Sequence, residues 1–187
     1  MNMSRVLFDA EKIPKVQPRV HGCHNLNGKI EWYTPKQYID AAVAVMGSIT
    51  CDPCTSKLAQ QTIRAKTFYT IDTDGLAHDW SGCVWLNPPY TADIIRRFVD
   101  KLLAHLDDGS VSQAIMLTHN NADTTWFHKA AKRCTSVCFT RGRVKFYDER
   151  GKGNSPTHGH VFMYFGKRRA VFEKVFREFG WICRGVK

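Results

Sequence analysis

Apolar and polar positions change period several times along the chain, and each change marks an element. Ile39, Val43 and Met46 recur at helical spacing from Lys36, and Gly47 offers a stop. Residues 49–51 form a short apolar run, read as a strand leading into Asp52-Pro53. Ser56 then caps a short helix carrying Leu58 and Ile63. Residues 67–71 are β-branched and aromatic, a second strand, followed by the turn Asp72-Thr73-Asp74-Gly75. Cys83-Val84-Trp85-Leu86 is a third strand and runs into Asn87-Pro88-Pro89-Tyr90.

Ile94, Ile95, Phe98, Leu102 and Leu106 describe an amphipathic helix that Asp108-Gly109 ends. A buried strand over 113–117 terminates in the polar group Thr118-His119-Asn120-Asn121. Asp123 or Thr124 caps the next helix, which runs to Arg133 and carries Trp126 and Phe127 as core residues. Strands follow over 136–140, 144–147 and 160–165, the last two separated by a glycine-rich, basic loop over 148–159. A final helix over 169–179 carries Val171, Phe172, Val175, Phe176 and Phe179. Alternating strands and helices predict an α/β sandwich, Rossmann-like, with a mostly parallel sheet ending in an antiparallel hairpin. Residues 1–30 show no period and read as an irregular arm before one domain over 31–187.

Composition adds a direction. The 187 residues are 43% hydrophobic and 24% charged, ordinary for a soluble globular chain, and no apolar run approaches the ~20 residues of a membrane span. The amino terminus lacks the apolar core of a signal peptide, so a cytoplasmic protein is expected. A formal charge of +10 favours a polyanionic partner, nucleic acid before membrane. From Arg141 onward there are 12 Lys and Arg against 4 Asp and Glu.

Seven cysteines, an odd number without a disulfide-like framework, are expected to be reduced thiols. Cys51 and Cys54 have CxxC spacing, and Cys134 and Cys138 form a CxxxC pair. Together they could supply four zinc ligands to a non-catalytic nucleic-acid-binding module. Cys51 ends a buried strand, however, where cysteine serves as a small core residue, so no metal is expected. His21-Gly22-Cys23-His24 is a second, weaker cluster of metal-ligating types.

Asn87-Pro88-Pro89-Tyr90 is the most distinctive loop. Two prolines fix two φ angles and remove two amide donors, which leaves carbonyls unpaired between an amide side chain and an aromatic ring. Taken alone, such a string is as well explained by a proline turn with Tyr90 as packing. Its setting changes that. Asp52 lies just past one strand, Asp74 past another, and all three features fall on the sheet edge where open α/β proteins bind ligands. The pattern is that of one cleft holding two molecules.

The ordered set Glu31-Trp32-Tyr33-Thr34-Pro35, Asp52-Pro53-Cys54-Thr55, Phe68-Tyr69-Thr70, Asp74-Gly75-Leu76, Asp79-Trp80 and Asn87-Pro88-Pro89-Tyr90 resembles the small phage-type, Dam-like DNA adenine methyltransferases. The resemblance spans about residues 31–166. It implies S-adenosylmethionine as cofactor, double-stranded DNA as partner and, for a phage-encoded chain, a host cytoplasm, and it leaves open whether the purpose is protection from restriction or regulation. Tyr33, Thr34 and Pro35 match the motif lining the methionine part of the cofactor. Asp52, Pro53 and Cys54 match the cofactor loop near the methionine amine, and Asp74 with Leu76 the pair holding the adenine ring. Thr55-Ser56-Lys57 stands where the family's glycine-rich loop would be, and Asp72 is the acid nearest the place of a ribose ligand.

The chemistry suits these residues. Methyl transfer from a sulfonium is an in-line displacement, governed by positioning and electrostatics. The Asn87 oxygen and the Pro88 carbonyl would accept the hydrogens of an exocyclic amine, Pro89 would stiffen the loop, and Tyr90 would stack on a flipped base. Arg141, Arg143, Lys145, Arg150, Lys152 and Asn154 are the expected DNA contacts. The same loop can serve the 4-amino group of cytosine, RNA or a protein amide, so the acceptor stays open among these, with adenine first.

Overall fold

Seven strands form one sheet: β1 (Cys51–Asp52), β2 (Thr67–Phe68), β3 (Gly82–Leu86), β4 (Val111–His119), β5 (Ser136–Thr140), β6 (His160–Phe165) and β7 (Gly180–Arg184). This computed structural model describes residues 32–153 and 156–185. The expected arm over 1–30, the His21-Gly22-Cys23-His24 cluster and Asn154 lie outside the described residues. The strand order is β2-β1-β3-β4-β6-β5-β7. The ladders among β2, β1, β3 and β4 are parallel, whereas β4–β6, β6–β5 and β5–β7 are antiparallel. The fold is therefore mixed α/β: β1 to β5 run one way and β6 and β7 the other, which divides the ladders into three parallel and three antiparallel.

β4 shows why the sheet sits at the centre. Its side chains alternate between two cores: Ala114 and Met116 enter one, Ile115 and Leu117 the other, and all four are fully buried. The first core is covered by α3 (Ala92–Asp107) and α4 (Thr125–Arg133), through Ile95, Phe98, Leu102, Trp126 and Phe127. The second is covered by α1 (Lys36–Met46) and α5 (Arg169–Phe176), through Ile39, Val45, Phe172 and Phe176. A four-residue helix, α2 (Gln60–Ile63), follows β1, and Ser56 Oγ accepts from the Ala59 amide at 3.3 Å just before it. Lys129 bridges to Asp100 at 2.7 Å and Arg133 pairs with Asp107, tying α4 to α3.

Several expected boundaries move. Val43 is 37% exposed and Val45 takes the buried place on α1, since Val43 turns about 40° past Ile39 around the helix. The last helix stops at Phe176, and Phe179 packs beyond it against Tyr38 at 4.8 Å between ring centroids. The strand expected over 144–147 is not one. Its alternation is real, with Val144 and Phe146 buried and Arg143 and Lys145 exposed, but only Tyr147 finds partners, in isolated bridges to Tyr33 and Gly153. β7 was not expected. It is a half-exposed edge strand, and its Gly180 lies so close to the Phe139 carbonyl that a Cβ there would collide with it.

Direction places the site. β1, β3, β4 and β5 run the same way, and β6 begins where they end, with His119 directly opposite His160. Asp52, Asn87, His119 and the segment 141–159 therefore gather at one edge. The chain passes from β1 outward to β2 and returns to β3 on the other side of β1. Such a reversal point opens a crevice at the strands' carboxyl ends.

Candidate active site

A cavity of about 70 Å³ lies at that reversal point, walled by Trp32, Tyr33 and Thr34 before α1, by Asp52, Cys54, Thr55, Ser56, Ala59 and Ile63 after β1, and by Trp85 and Asn87 of the β3 end. It is smaller than the ~300 Å³ of a typical small-molecule site, so it would take one end of a ligand, with the rest along the open edge. Tyr33 is buried and held by paired backbone bonds to Tyr147, at 2.8 and 3.2 Å. Pro35 is the residue before α1 and accepts from the Tyr38 amide at 3.0 Å.

Asp52 is the electrostatic centre of the cavity. It is 1% exposed, and its carboxylate accepts from Gln60 Nε2 at 2.7 Å and from the Cys54 amide at 3.4 Å. Burial pushes its pKa up to about 7, partly offset by its hydrogen bonds to Thr55, Cys54 and Gln60. All of these partners are neutral, and among the described residues no cation pairs with it. A ligand with a positive end fits that vacancy of charge. Gln60, which sequence reasoning missed, is the clamp: the same Nε2 also donates to Thr55 Oγ1 at 3.1 Å, and its Oε1 accepts from the Ala65 amide at 2.9 Å. A glutamine eight residues from an acid carries no motif that would have revealed it.

Pro53 is packed from behind. A Cβ on Gly75 would strike the Pro53 carbonyl, so glycine is required for the two loops to touch. Trp80, fully buried, donates its indole hydrogen to the Gly75 carbonyl at 2.7 Å, and Asp74 accepts from the Leu76 amide at 3.0 Å. Asp74 and Leu76, expected at the cofactor's adenine ring, shape a turn beside the Pro53 loop and stand outside the cavity wall. Asp72 is exposed in the preceding turn.

The catalytic-loop candidates are brought together. Asn87 Nδ2 donates to Thr34 Oγ1 at 3.4 Å, and Tyr90 donates its hydroxyl hydrogen to Asn87 Oδ1 at 2.7 Å. Pro88 is buried, and Pro89 and Tyr90 are half-buried. Burial pushes the Tyr90 hydroxyl well above the usual phenol range, so it stays a donor. His119 packs against the Tyr90 ring, with centroids 3.9 Å apart.

Arg141, Arg143, Lys145, Arg150 and Lys152 are all exposed and, among the described residues, none forms an ion pair. Their segment lies along the same edge as Asn87. Asp148 organises it, accepting from the amides of Arg150 and Lys152 at 3.0 and 2.8 Å.

The two cysteine pairs do not meet, and the expectation of reduced thiols is corrected at Cys54, which is disulfide-bonded, while Cys51, Cys83, Cys134, Cys138 and Cys183 are free. β3, β4 and β6 separate β1 from β5, and Cys134 and Cys138 lie in opposite cores. Burial pushes the thiols of Cys51 and Cys138 up to about 12 and that of Cys134 to about 11, away from the thiolate a metal needs. Among the described residues no group of three metal-ligating side chains is suitably placed, and no helix is long and apolar enough to cross a membrane.

A family model described as DNA N-6-adenine-methyltransferase (Dam) matches residues 25–178. No curated protein and no solved structure matches the chain. With most of its length matched, the chain belongs to the Dam family of adenine-specific DNA methyltransferases.

Proposed function

We propose that this member of the Dam family transfers a methyl group from S-adenosylmethionine to the exocyclic 6-amino group of an adenine flipped out of double-stranded DNA, on a Rossmann-like methyltransferase sandwich. The observation that carries the reading is that Asp52 and Asn87, from the two strands flanking the reversal point, share one cavity wall.

The cofactor would supply an electrophilic methyl group on a sulfonium. Asp52, a buried carboxylate without a cation, answers the positive charge of the methionine end, with Tyr33, Thr34, Pro35, Pro53 and Cys54 shaping the wall around it. Asp74 and Leu76 border the adenine end. On the substrate side, Asn87 Oδ1 and the Pro88 carbonyl accept the two amine hydrogens, which draws the nitrogen lone pair out of the ring and toward the methyl carbon. Asn87 Oδ1 and the Pro88 carbonyl would hold the amine while its nitrogen takes the methyl group and releases its proton to water, the C–S bonding pair remaining on the cofactor's sulfur. Tyr90 stacks on the base and offsets part of the few kcal/mol that flipping costs. Its hydroxyl must first leave Asn87 Oδ1, because that oxygen is the acceptor the amine needs.

Arg141, Arg143, Lys145, Arg150 and Lys152 would neutralise backbone phosphates along the same edge, and Asn154 belongs to the same proposal from sequence alone. The test is incubation with unmethylated DNA and labelled cofactor, followed by nucleoside mass spectrometry. 6-Methyladenine that disappears in Asn87→Ala supports the reading. Only 4-methylcytosine, or label confined to RNA, overturns the acceptor.

A further inference from the structure

Three histidines converge behind Tyr90. His119 closes β4 and packs against the Tyr90 ring, tilted at 42° with centroids 3.9 Å apart; exposed His158 stacks on His119 at 4.6 Å and 19°. His160 opens β6 opposite His119, is 1% exposed, and meets His119 and Phe146 edge-on at 5.1 and 5.2 Å. Neither ring nitrogen of His160 has a hydrogen-bond partner among the described residues. The cluster therefore gains little from hydrogen bonding and acts through its ring faces. Burial first, then the neighbouring histidines, lower the pKa of both His119 and His160 to about 4, so both rings are neutral at physiological pH and can pack against one another without charge repulsion.

We infer that His119 is a positioning residue for the methyl-transfer reaction: with His158 behind it, it holds the Tyr90 ring in the plane that a flipped base must meet. Tyr90 hangs at the end of a proline turn, and among the described residues its side chain's only polar tether is the bond to Asn87 Oδ1 that base entry has to break. Once that bond is gone, packing is what still fixes the ring, and the contact with His119 at 3.9 Å is its tightest aromatic contact among the described residues, beside the core packing and His160 at 6.3 Å. The cross-strand pairing of His119 with His160 anchors this contact at the ends of two adjacent inner strands, β4 and β6. This inference rests on the proposed adenine methylation.

The test is a mutant cycle read by labelled methyl transfer to unmethylated DNA, with cofactor affinity measured by calorimetry. His119→Ala should lower kcat about five- to tenfold, the worth of an aromatic contact, and leave cofactor affinity unchanged. His119→Phe should restore kcat to within about twofold. Exposed His158→Ala, which removes no buried group, should cost about twofold. In Tyr90→Ala the further change His119→Ala should cost nothing more, because the histidine acts only through that ring. Additive losses in the double variant, wild-type kcat in both His119→Ala and His158→Ala, or failure of phenylalanine to rescue would each overturn the inference. If the wild-type protein produces no 6-methyladenine, the functional reading itself fails, and this inference with it; a productive wild type with an indifferent His119 removes this inference alone.

Discussion

The Tyr90 hydroxyl donates to Asn87 Oδ1 at 2.7 Å, so in the proposed reaction it occupies the acceptor that the substrate amine would need. The hydroxyl and the ring of Tyr90 then have separable roles. Tyr90→Phe keeps the ring and should leave methylation within about threefold of wild type, since a net hydrogen bond is worth little. Tyr90→Ala loses base stacking and should fall about ten- to a hundredfold. Equal losses in the two variants, measured as 6-methyladenine per enzyme, would show that the hydroxyl matters as much as the ring.

Thr34 faces both ligands of the proposed reaction, lining the cavity and accepting from Asn87 Nδ2 at 3.4 Å. That contact decides which end of the amide points toward the base. Thr34→Val should lower kcat by about tenfold, the cost of leaving a buried polar group unpaired, while Thr34→Ser retains most activity. A valine variant with normal kcat and weakened cofactor binding would mean that Thr34 serves the cofactor and not Asn87.

If Asp52 holds the cofactor as proposed, binding should depend on pH. Its pKa rises from 3.8 to about 7 in the native fold, chiefly through burial. The native state therefore binds this proton more tightly than the unfolded chain. Its contribution favours folding at low pH, is lost as pH rises from about 4 to about 7, and changes no further above that. Binding of a cationic ligand runs the other way, because it needs the carboxylate. Cofactor affinity by calorimetry should tighten about tenfold between roughly pH 6 and 8. The same slope persisting in Asp52→Asn would assign the titration to another group.

Gly75 and Pro53 touch backbone to backbone. Gly75→Ala should therefore push the cofactor loop away, with a cost of about 1–3 kcal/mol in stability. Melting should fall by several degrees, and cofactor affinity should fall with it. Unchanged melting would mean that the two loops can separate freely.

Binding along the 141–152 edge is electrostatic in this reading. DNA affinity should fall steeply with salt, and Arg143→Ala and Lys152→Ala should each reduce the logarithmic slope by about one. Both side chains are exposed without ion pairs among the described residues, so their removal should leave melting unchanged. A slope unmoved by both substitutions would place the DNA elsewhere.

How much of this was legible in the chain can be judged residue by residue. Asn87-Pro88-Pro89-Tyr90 stands at the end of β3 as the apolar run before it requires, and Asp52 ends β1 for the same reason. Helical spacing identified α1, α3, α4 and α5, because the period of a helix is written in neighbours three and four apart. The family, too, was readable from an ordered set of short motifs, since each motif is local.

What the tertiary structure alone decided is pairing across long separations. Residues 144–147 alternate as a strand does, yet find no ladder. β7, weakly patterned, finds one on β5 because an open sheet edge was waiting there. β6 enters between β4 and β5, and only that insertion sets His160 against His119 and the histidines behind Tyr90. Gln60 meets Asp52, and Thr34 meets Asn87, for the same reason. Local patterns determine which residues lie at a strand's end, but which strands become neighbours depends on burying both faces of the sheet at once, and that choice is made by the whole chain.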